Sequence, residues 1–362
     1  MKFVIEQSVF SQGLGRVQGV VSSRPAIPVV GHFLVVAQGQ HVVITATDME
    51  QSITIRLPAR VEVEGQGTIP AKKLTQIVRS LPNNDITVSF DDAQKCSIAC
   101  GKSRSRLQGL AAESFPLERS ELAGRDLTFR SGQFRRMLDK ISYACAASDE
   151  RAVLNGLLLS ILDGTFTAAA TDGRRLALME TAVDGGAGLD GETILPSKAV
   201  SELCKMLPED GEVRMILGAA RAIFSTGECT LRTKLLEGAY PNFRLVVPSG
   251  FTRQIMIPRQ ELEQAISRVA IILESNNPSI KFQIESGLVN VVSADNADDC
   301  CETVSASYEG DPTTIAFNPN YLLEALKRLE CNAITLRFND KVSPTGIFGD
   351  EGFLYVIMPM RS

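Results

Sequence analysis

A threefold internal repeat is the feature that most constrains how this 362-residue chain can fold. Three segments share an apolar residue, a proline and an amphipathic stretch: IPAKKLTQIVRSLP at 69–82, LPSKAVSELCKMLP at 195–208 and FNPNYLLEALKRLE at 317–330. Their prolines, Pro70, Pro196 and Pro319, lie 126 and 123 residues apart. Such a period equals a whole domain and far exceeds the roughly 20 to 50 residues of a solenoid repeat.

Two further landmarks recur in the same order and at nearly the same interval. One is a short triplet, Ala-Thr-Asp or Ser-Ala-Asp, that ends at Asp48, Asp172 and Asp295. The other is a set of apolar residues at helical spacing near the start of each repeat: Phe10/Leu14/Val17/Val21, Phe134/Met137/Leu138/Ile141 and Leu262/Ile266/Val269/Leu273. Together the landmarks predict three similar domains, at residues 1–120, 121–247 and 248–362.

Each repeat predicts the same α+β architecture. Alternating apolar stretches such as 52–57 and 288–292 indicate strands, and about eight fit into each repeat. Two helices per repeat are predicted, in the windows 8–21, 71–81, 132–146, 197–207, 259–272 and 319–329. The proline at or near the first turn of the second helix suits a helix start, because its missing N–H has no partner there. We expect helices packed on one face of antiparallel sheet.

Composition argues against several classes of function. The only histidines are His32 and His41, and the 8 cysteines are scattered without metal-ligand spacing, so we expect reduced thiols, no metal and no cofactor. The longest apolar runs fall short of the roughly 18 residues of a membrane span, and the N-terminus lacks a secretory signal. We therefore expect a cytoplasmic protein without a membrane partner.

Charge is segregated between the predicted helices and the rest of the chain. The six windows hold thirteen Lys and Arg against five Asp and Glu, which is a net charge of +8 in a chain whose total is −5. One surface would then suit a polyanion while the remainder repels it, although exposed helices are often basic merely for solubility. The charge pattern predicts contacts to DNA phosphates, without sequence reading, from Lys73, Arg79, Arg135, Arg136, Lys140, Lys198 and Lys205.

Several motifs carry a family resemblance. They are MKF at 1–3, SRP at 23–25, TD at 47–48, LNG at 154–156, ATDGRRL at 170–176, YPNF at 240–243 and YVIMPMR at 355–361. On these motifs the chain resembles the bacterial DNA polymerase III beta subunit, the DNA sliding clamp, over its full length. The central ATDGRRL and terminal MPMR segments are specific in combination.

The resemblance implies a homodimer of two three-domain subunits that join head to tail into a ring around double-stranded DNA. Helices line the hole, antiparallel sheets form the outer wall, and closure removes the unpaired strand edges. It places Arg24 and Lys72 at DNA contacts, and Ile271, Ile272 and Leu273 at the dimer interface. The best-known members have a glutamine and two tyrosines where this chain has Ser148, Ala152 and Val153, which leaves DNA contact from that loop open.

The resemblance also implies a pocket for short hydrophobic peptides. Carried over by position, its residues are Leu154, Thr171, Gly173, Arg174, Arg175, Leu176, Pro241, Leu245, Val246, Val342, Ser343, Val356, Ile357, Met358, Pro359, Met360 and Arg361. Leu245 replaces a basic residue common in the family, which should make the pocket more apolar. The implied partners are the replicative DNA polymerase catalytic subunit, the clamp loader, other polymerases and mismatch-repair proteins, and the implied role is a non-catalytic processivity factor.

Two alternatives make different predictions. An enzyme could use Asp48, Asp172 and Asp295 as metal ligands, but equivalent positions of three repeats belong to three domains, so we interpret them as turn residues. The sequence also lacks a phosphate loop and a nucleophile elbow. A repeat scaffold that binds only proteins would be a monomer or an open chain, and its binding would not depend on DNA topology.

Overall fold

The computed structural model describes residues 1–22, 25–118, 121–183, 189–274, 277–293 and 299–361. The chain forms two compact units. The first consists of Met1–Arg135 and Lys198–Leu235, and the second of Arg136–Ser197 and Leu236–Ser362. The three predicted domains therefore do not coincide with the two units, and the boundaries near residues 120 and 247 stay predictions.

Six α-helices occur in the described residues, one in each predicted window. They are α1 Gln7–Val17, α2 Ala71–Ser80, α3 Ser131–Ile141, α4 Ser197–Met206, α5 Arg259–Ala270 and α6 Pro319–Leu326. The windows 8–21 and 132–146 overran α1 and α3, because each helix tightens there into a 3₁₀ turn, Gln18–Val20 and Ser142–Ala144. Pro70 directly precedes α2, and Pro319 opens α6 at the position where a missing N–H is harmless.

The strands recur in the same order in each repeat, except that the first repeat has one additional strand, β5. The first repeat has β1 Lys2–Glu6, β2 His32–Gln38, β3 His41–Thr47, β4 Gln51–Pro58, β5 Arg60–Val63, β6 Gly65–Pro70, β7 Asp85–Phe90, β8 Lys95–Cys100 and β9 Ser103–Gln108. The second has β10 Arg125–Arg130, β11 Gly156–Leu162, β12 Thr165–Thr171, β13 Arg175–Ala182, β14 Gly191–Pro196, β15 Glu212–Leu217, β16 Arg221–Thr226 and β17 Cys229–Lys234. The third has β18 Arg253–Pro258, β19 Ile280–Glu285, β20 Leu288–Ser293, β21 Cys301–Ser305, β22 Thr313–Phe317, β23 Ala333–Phe338, β24 Thr345–Phe348 and β25 Phe353–Ile357. The predicted α+β fold with three repeated domains is confirmed.

Antiparallel sheets run on from one repeat into the next. In the first unit, a five-stranded sheet has the order β5-β1-β7-β8-β9, and an eight-stranded sheet has the order β10-β15-β16-β17-β4-β3-β2-β6. In the second unit, an eight-stranded sheet has the order β14-β11-β12-β13-β25-β24-β23-β18, and a four-stranded sheet has the order β21-β20-β19-β22. The strand pairs β17–β4 and β13–β25 join repeats. Each unit is thus tied together by continuous hydrogen-bonded sheet.

Amphipathic spacing sets the orientation of the helices. In α2, Leu74 and Val78 are fully buried, whereas Lys72, Lys73 and Arg79 are exposed. Apolar residues three and four apart share one face of a helix, so the core side and the basic side of α2 follow directly from the sequence. None of the helices in the described ranges is long and apolar enough to cross a membrane.

Candidate functional site

The turn between β12 and β13 is built by its own side chains. The Asp172 carboxylate accepts hydrogen bonds from the backbone N–H of Arg174 at 3.0 Å and of Arg175 at 3.1 Å. The Thr171 hydroxyl donates to the carbonyl of Arg175. Gly173 has φ +83°, in the left-handed region that glycine adopts without steric penalty. Asp172 therefore fixes the turn, as the turn interpretation predicted.

An apolar cluster lies beneath this turn in the second unit. Leu176 and Val356 face each other across β13 and β25, and they pack with Leu158, Tyr240 and Phe243. The backbone N–H of Met358 donates to the carbonyl of Arg174 at 3.0 Å, and that of Thr171 donates to Tyr240 Oη at 3.1 Å. The pairing brings the segments around 171–176, 240–243 and 356–358 together.

Exposed apolar side chains continue from this cluster. Leu245, two residues after Phe243, is 82% exposed, and Val246, Val342 and Met358 are also exposed. Val342 lies on a loop that the Asp340 carboxylate holds by accepting from the N–H of Val342 at 2.8 Å and of Ser343 at 2.7 Å. Single exposed apolar residues are ordinary, but several on the segments predicted to bind peptides are typical of an interaction surface.

The remaining predicted pocket residues differ in accessibility. Leu154 and Ile357 are buried, Thr171, Ser343, Pro359 and Met360 are partly exposed, and Gly173, Arg174, Pro241 and Arg361 are exposed. The N–H of Met360 donates to the carbonyl of Ala316 at 2.8 Å, which fixes the chain after β25 against β22. The exposed and partly exposed members can contact a ligand directly, whereas the buried ones support them.

Arg175 is a buried member of the predicted pocket residues, and its side chain is held from within the unit. Its side chain is 8% exposed, and its guanidinium donates to Asp172 Oδ2 at 3.0 Å, to the Tyr143 carbonyl at 2.9 Å and to Glu324. It also lies 4.4 Å from the ring centre of Tyr321. Burial alone would lower the pKa of Arg175, but Tyr355, Glu324 and Asp172 together raise it above the ordinary value. The side chain is committed to contacts within the unit because a buried charge must be paired.

The predicted DNA-contacting cations are mostly exposed. Lys72, Lys73, Arg79, Arg136, Lys198 and Lys205 are exposed, and Arg135 is partly exposed. Lys198 is held by the carboxylate of Asp48, and Lys205 by that of Glu202 at 2.7 Å. Arg24 lies outside the described residues, as does Asp295 of the repeated triplet.

Lys140 is a correction to the predicted set. It is only 6% exposed, and its ammonium donates to the Asp350 carboxylate, with a Glu330 oxygen at 3.7 Å. The helical charge count could not distinguish a buried cation from an exposed one. Lys140 stabilises the second unit and is not available to a phosphate.

Comparison with known proteins identifies the family. The three domain descriptions of the DNA polymerase III beta subunit match this chain, the N-terminal domain at residues 1–119, the central domain at 128–242 and the C-terminal domain at 244–361. The chain belongs to the DNA polymerase III beta subunit family.

Relatives and solved structures agree with this assignment. The beta sliding clamp of Pseudomonas aeruginosa is 33% identical over the whole of both chains, and that of Chlamydia muridarum is 32% identical over 100% of this chain and 99% of the relative. A crystal structure of the Pseudomonas aeruginosa sliding clamp bound to griselimycin covers both chains fully, with 32% identity and a TM-score of 0.96. The Caulobacter crescentus sliding clamp superposes with a TM-score of 0.92 at 32% identity, again over both full chains. The chain is thus a DNA sliding clamp by family and by fold.

Sequence reasoning about this sliding clamp missed the partners of its buried charges. Glu324 and Tyr321 on α6 hold Arg175, and Asp350 holds Lys140, yet none of the three was singled out. Glu324 and Tyr321 lie 149 and 146 residues after Arg175 in the sequence, and Asp350 lies 210 residues after Lys140. Aligning the repeats would have given one further signal, because Gln51 of the first repeat stands where the second repeat has Arg175.

Proposed function

We propose that two copies of this sliding clamp close head to tail into a ring around double-stranded DNA and hold other replication proteins there. The observation that carries the proposal is a pair of edge strands, β9 and β21, each of which ends its sheet. Their equivalents in the other repeats are paired, since β17 pairs with β4 and β25 pairs with β13. If the same strands pair between two copies, β9 of one copy would pair with β21 of the other. A closed dimer would contain two such strand pairs.

The side chains at these edges support such pairing. Arg104 and Arg106 are exposed on β9, and Glu302 lies on β21, where it accepts from Arg268 at 2.7 Å. Ile271, at the end of α5, is 80% exposed, and Ile272 and Leu273 are partly exposed. An apolar patch beside an unpaired strand would be an aggregation hazard in a monomer, and pairing with a second copy covers both.

Encirclement explains why moderate phosphate contacts suffice. The exposed cations of the helices, with Lys72, Lys73 and Arg79 on α2 as the densest group, would contact the backbone of either strand without reading bases. Such contacts are screened by salt and exchange readily, so the ring can slide while topology prevents its loss.

The apolar surface around Leu176, Leu245 and Met358 is the site at which other replication proteins would be held on the clamp. Methionine repacks around differently shaped apolar side chains, which suits a site shared by several partners. We propose that short hydrophobic peptides of the replicative polymerase, the clamp loader, other polymerases and mismatch-repair proteins bind here. The chain would then be a non-catalytic cytoplasmic subunit with domains at 1–120, 121–247 and 248–362.

Retention on circular DNA tests the ring. After clamp-loader-assisted loading onto nicked circular DNA, the protein should elute with the circle in gel filtration and be released when a restriction enzyme linearises it. Retention that is indifferent to linearisation would instead support an open scaffold. Catalytic turnover of nucleotide or DNA by the pure protein would contradict a purely accessory role.

Sedimentation tests the dimer contact. Replacing Ile271 and Ile272 with Ala removes exposed apolar area, so the dimer should dissociate at a higher protein concentration than the unaltered chain. Leu162→Ala is the matched control, because Leu162 is an exposed apolar residue of the same unit on β11. An unchanged mass for the Ile271/Ile272 variant at every concentration would refute this interface.

A further inference from the structure

A cavity of the second unit lies next to the partner site, the apolar surface around Leu176, Leu245 and Met358. Its volume is about 720 Å³, within the range of ligand sites. Its walls come from the chain before and at the start of β18 and from β23, β24 and β25. Val247 and Leu354 line the cavity and also pack against the apolar cluster beneath the partner site. The cavity and the partner site therefore share part of their walls.

Strand register extends the floor of the partner site to Arg337. Leu176 lies opposite Val356 across β13 and β25. Val356 lies opposite Gly346 on β24, and Gly346 lies opposite Arg337 on β23. Directly opposite residues of neighbouring strands point to the same face of a sheet, and neighbouring strands are about 4.8 Å apart. Arg337 is thus roughly 10 Å from Val356 on the same face, a distance that an extended peptide spans in about three residues.

Defined contacts hold the walls of this cavity. The side-chain oxygen of Asn339 accepts from the N–H of Thr252 at 2.7 Å, and its amide nitrogen donates to the carbonyl of Gly250 at 3.0 Å. The rings of Phe251 and Phe348 meet edge to face, with their centres 6.0 Å apart. The cavity is therefore built into the fold and is not a gap left by loose packing.

The charge of the cavity indicates its ligand. Of the described residues that line it, Arg253 and Arg337 carry charge, and both are cations. The guanidinium carbon of Arg337 lies 4.5 Å from the ring centre of Phe348, and Arg337 Nε is buried without a hydrogen-bond partner in the described part of the chain. Arg253 has an Asp311 oxygen at 3.9 Å, but the side chain of that aspartate is 93% exposed. Buried donors are normally paired, and a guanidinium pairs best with a carboxylate, so an anionic ligand would satisfy Arg337.

On the basis of the proposed partner site, we infer that this cavity binds the carboxylate of an acidic side chain in a partner peptide. An apolar side chain of the peptide occupies the partner site, and the acidic residue lies about three residues away and reaches Arg337. The contact with Phe348 holds the guanidinium in place, which reduces the conformational entropy lost when the carboxylate binds. Among apolar peptides, the clamp would thus select those with an acidic residue at this spacing.

Fluorescence anisotropy with the full chain tests the inference. The probes are the fluorescein-labelled, amidated peptides Leu-Leu-Ser-Ser-Asp and, for the opposite chain direction, Asp-Ser-Ser-Leu-Leu. Each is compared with an analogue that has asparagine in place of aspartate. In one of the two directions, the aspartate peptide should bind about tenfold more tightly than its asparagine analogue, the size of one charge-assisted hydrogen bond. Arg337→Gln should remove this preference and leave the affinity for the asparagine peptide unchanged.

Three further variants control the measurement. Lys327→Gln removes one positive charge from an exposed position of the same unit outside the cavity, so it should keep the preference for aspartate. Arg253→Gln should weaken binding of the aspartate peptide alone, and it decides the question if the Arg337 variant does not fold. Leu245→Ser reports on the partner site and should weaken the aspartate and asparagine peptides alike.

The outcomes separate this inference from the proposed function. Equal affinities for the aspartate and asparagine peptides, both lowered by Leu245→Ser, would overturn the inference and leave the partner site in place. A preference for aspartate that survives both arginine variants would overturn it as well, as would the absence of measurable binding in both chain directions. A preference that requires Arg337 but is indifferent to Leu245→Ser would support the cavity as a carboxylate site and count against the partner site.

Discussion

The turn that ends in Arg175 and the turn that ends in Gln51 share the same backbone hydrogen bonds but end in different side chains, one charged and one neutral. In both, an aspartate accepts from two successive N–H groups and a threonine hydroxyl donates to the fifth residue's carbonyl. Arg175 is then surrounded by acceptors and aromatic rings of its own unit, whereas the Gln51 amide finds no hydrogen-bond partner among the residues that the structure describes. The backbone of the turn is thus the same in both repeats. The side chain at its last position determines whether the buried polar group is paired with other residues of the unit.

Electrostatics explains the difference. A buried guanidinium without partners would be too costly, so Arg175 requires Asp172, Glu324 and the Tyr143 carbonyl. A neutral carboxamide carries a smaller desolvation penalty and can remain unpaired at a cost the fold tolerates. The variants below test this contrast, from the largest expected effect to the smallest.

The largest effect is expected from Arg175→Met. The variant leaves Asp172 without its guanidinium partner and removes the bond to Tyr143, so the free energy of unfolding should fall by about 3 kcal/mol. The midpoint of urea unfolding measures it. Arg174→Ala is the matched control, because Arg174 is exposed on the same turn and should change the midpoint little. Equal effects of the two variants would show that Arg175 is not the centre of the cluster.

Lys140→Met should have the next largest effect. Asp350 loses its buried partner but keeps hydrogen bonds from the N–H groups of Glu330 and Cys331, so we expect a loss of about 2 kcal/mol. Lys198→Ala is the comparison in the first unit. Its pair with Asp48 leaves the lysine mostly exposed, so about 0.5 kcal/mol or less should be lost.

The Lys140–Asp350 pair also predicts a pH dependence. Burial alone would raise the pKa of Asp350, but bonds from Lys140 and two backbone N–H groups lower it below the ordinary 3.8. A carboxyl whose pKa is depressed on folding stabilises the protein above its unfolded pKa, and this stability is lost as pH falls through the folded value. The gap in unfolding free energy between the parent chain and Lys140→Met should therefore narrow below about pH 4. A gap that stays constant from pH 6 to pH 3 would contradict this account.

The sequence predicted regularities and missed particular long-range partners. The period of about 124 residues, the six helices and the exposed face of α2 follow from spacing, because local periodicity determines which side of a helix is buried. Lys140 was assigned to the wrong environment and the burial of Arg175 was missed, because each side chain is held by a residue well over a hundred positions away. An ion pair between residues so far apart leaves no local pattern in the sequence. The family resemblance assigns a residue to a site by its position, but it does not say whether that side chain is buried.

Gln51→Leu should have an effect of the opposite sign. Removing an unpaired buried amide relieves its desolvation penalty, so the unfolding free energy should rise by about 1 kcal/mol. Thermal or urea unfolding of the variant measures it. Thr75→Val is the control, since the Thr75 hydroxyl is buried but donates to the Ala71 carbonyl at 2.9 Å and should not gain stability when removed. A destabilised Gln51→Leu would mean that the amide is satisfied in solution, which would remove the contrast with Arg175.

The smallest stability effect is expected from Leu245→Ser, which isolates binding from folding. Leu245 is 82% exposed, so the unfolding free energy should change by no more than about 0.5 kcal/mol. If Leu245 covers a bound apolar peptide, the same change should weaken capture of the replicative polymerase by about tenfold, because an apolar contact of that area contributes about 1.5 kcal/mol. Surface plasmon resonance with the immobilised clamp measures it. Leu162→Ser, an equally simple change at an exposed leucine on β11, should leave the affinity unchanged. A loss of affinity in both variants would mean that any exposed leucine replaced by serine weakens binding, so the effect would not be specific to Leu245. If neither variant lost affinity, Leu245 would not belong to the partner site, and the conclusions about the buried cluster around Arg175 would be unaffected.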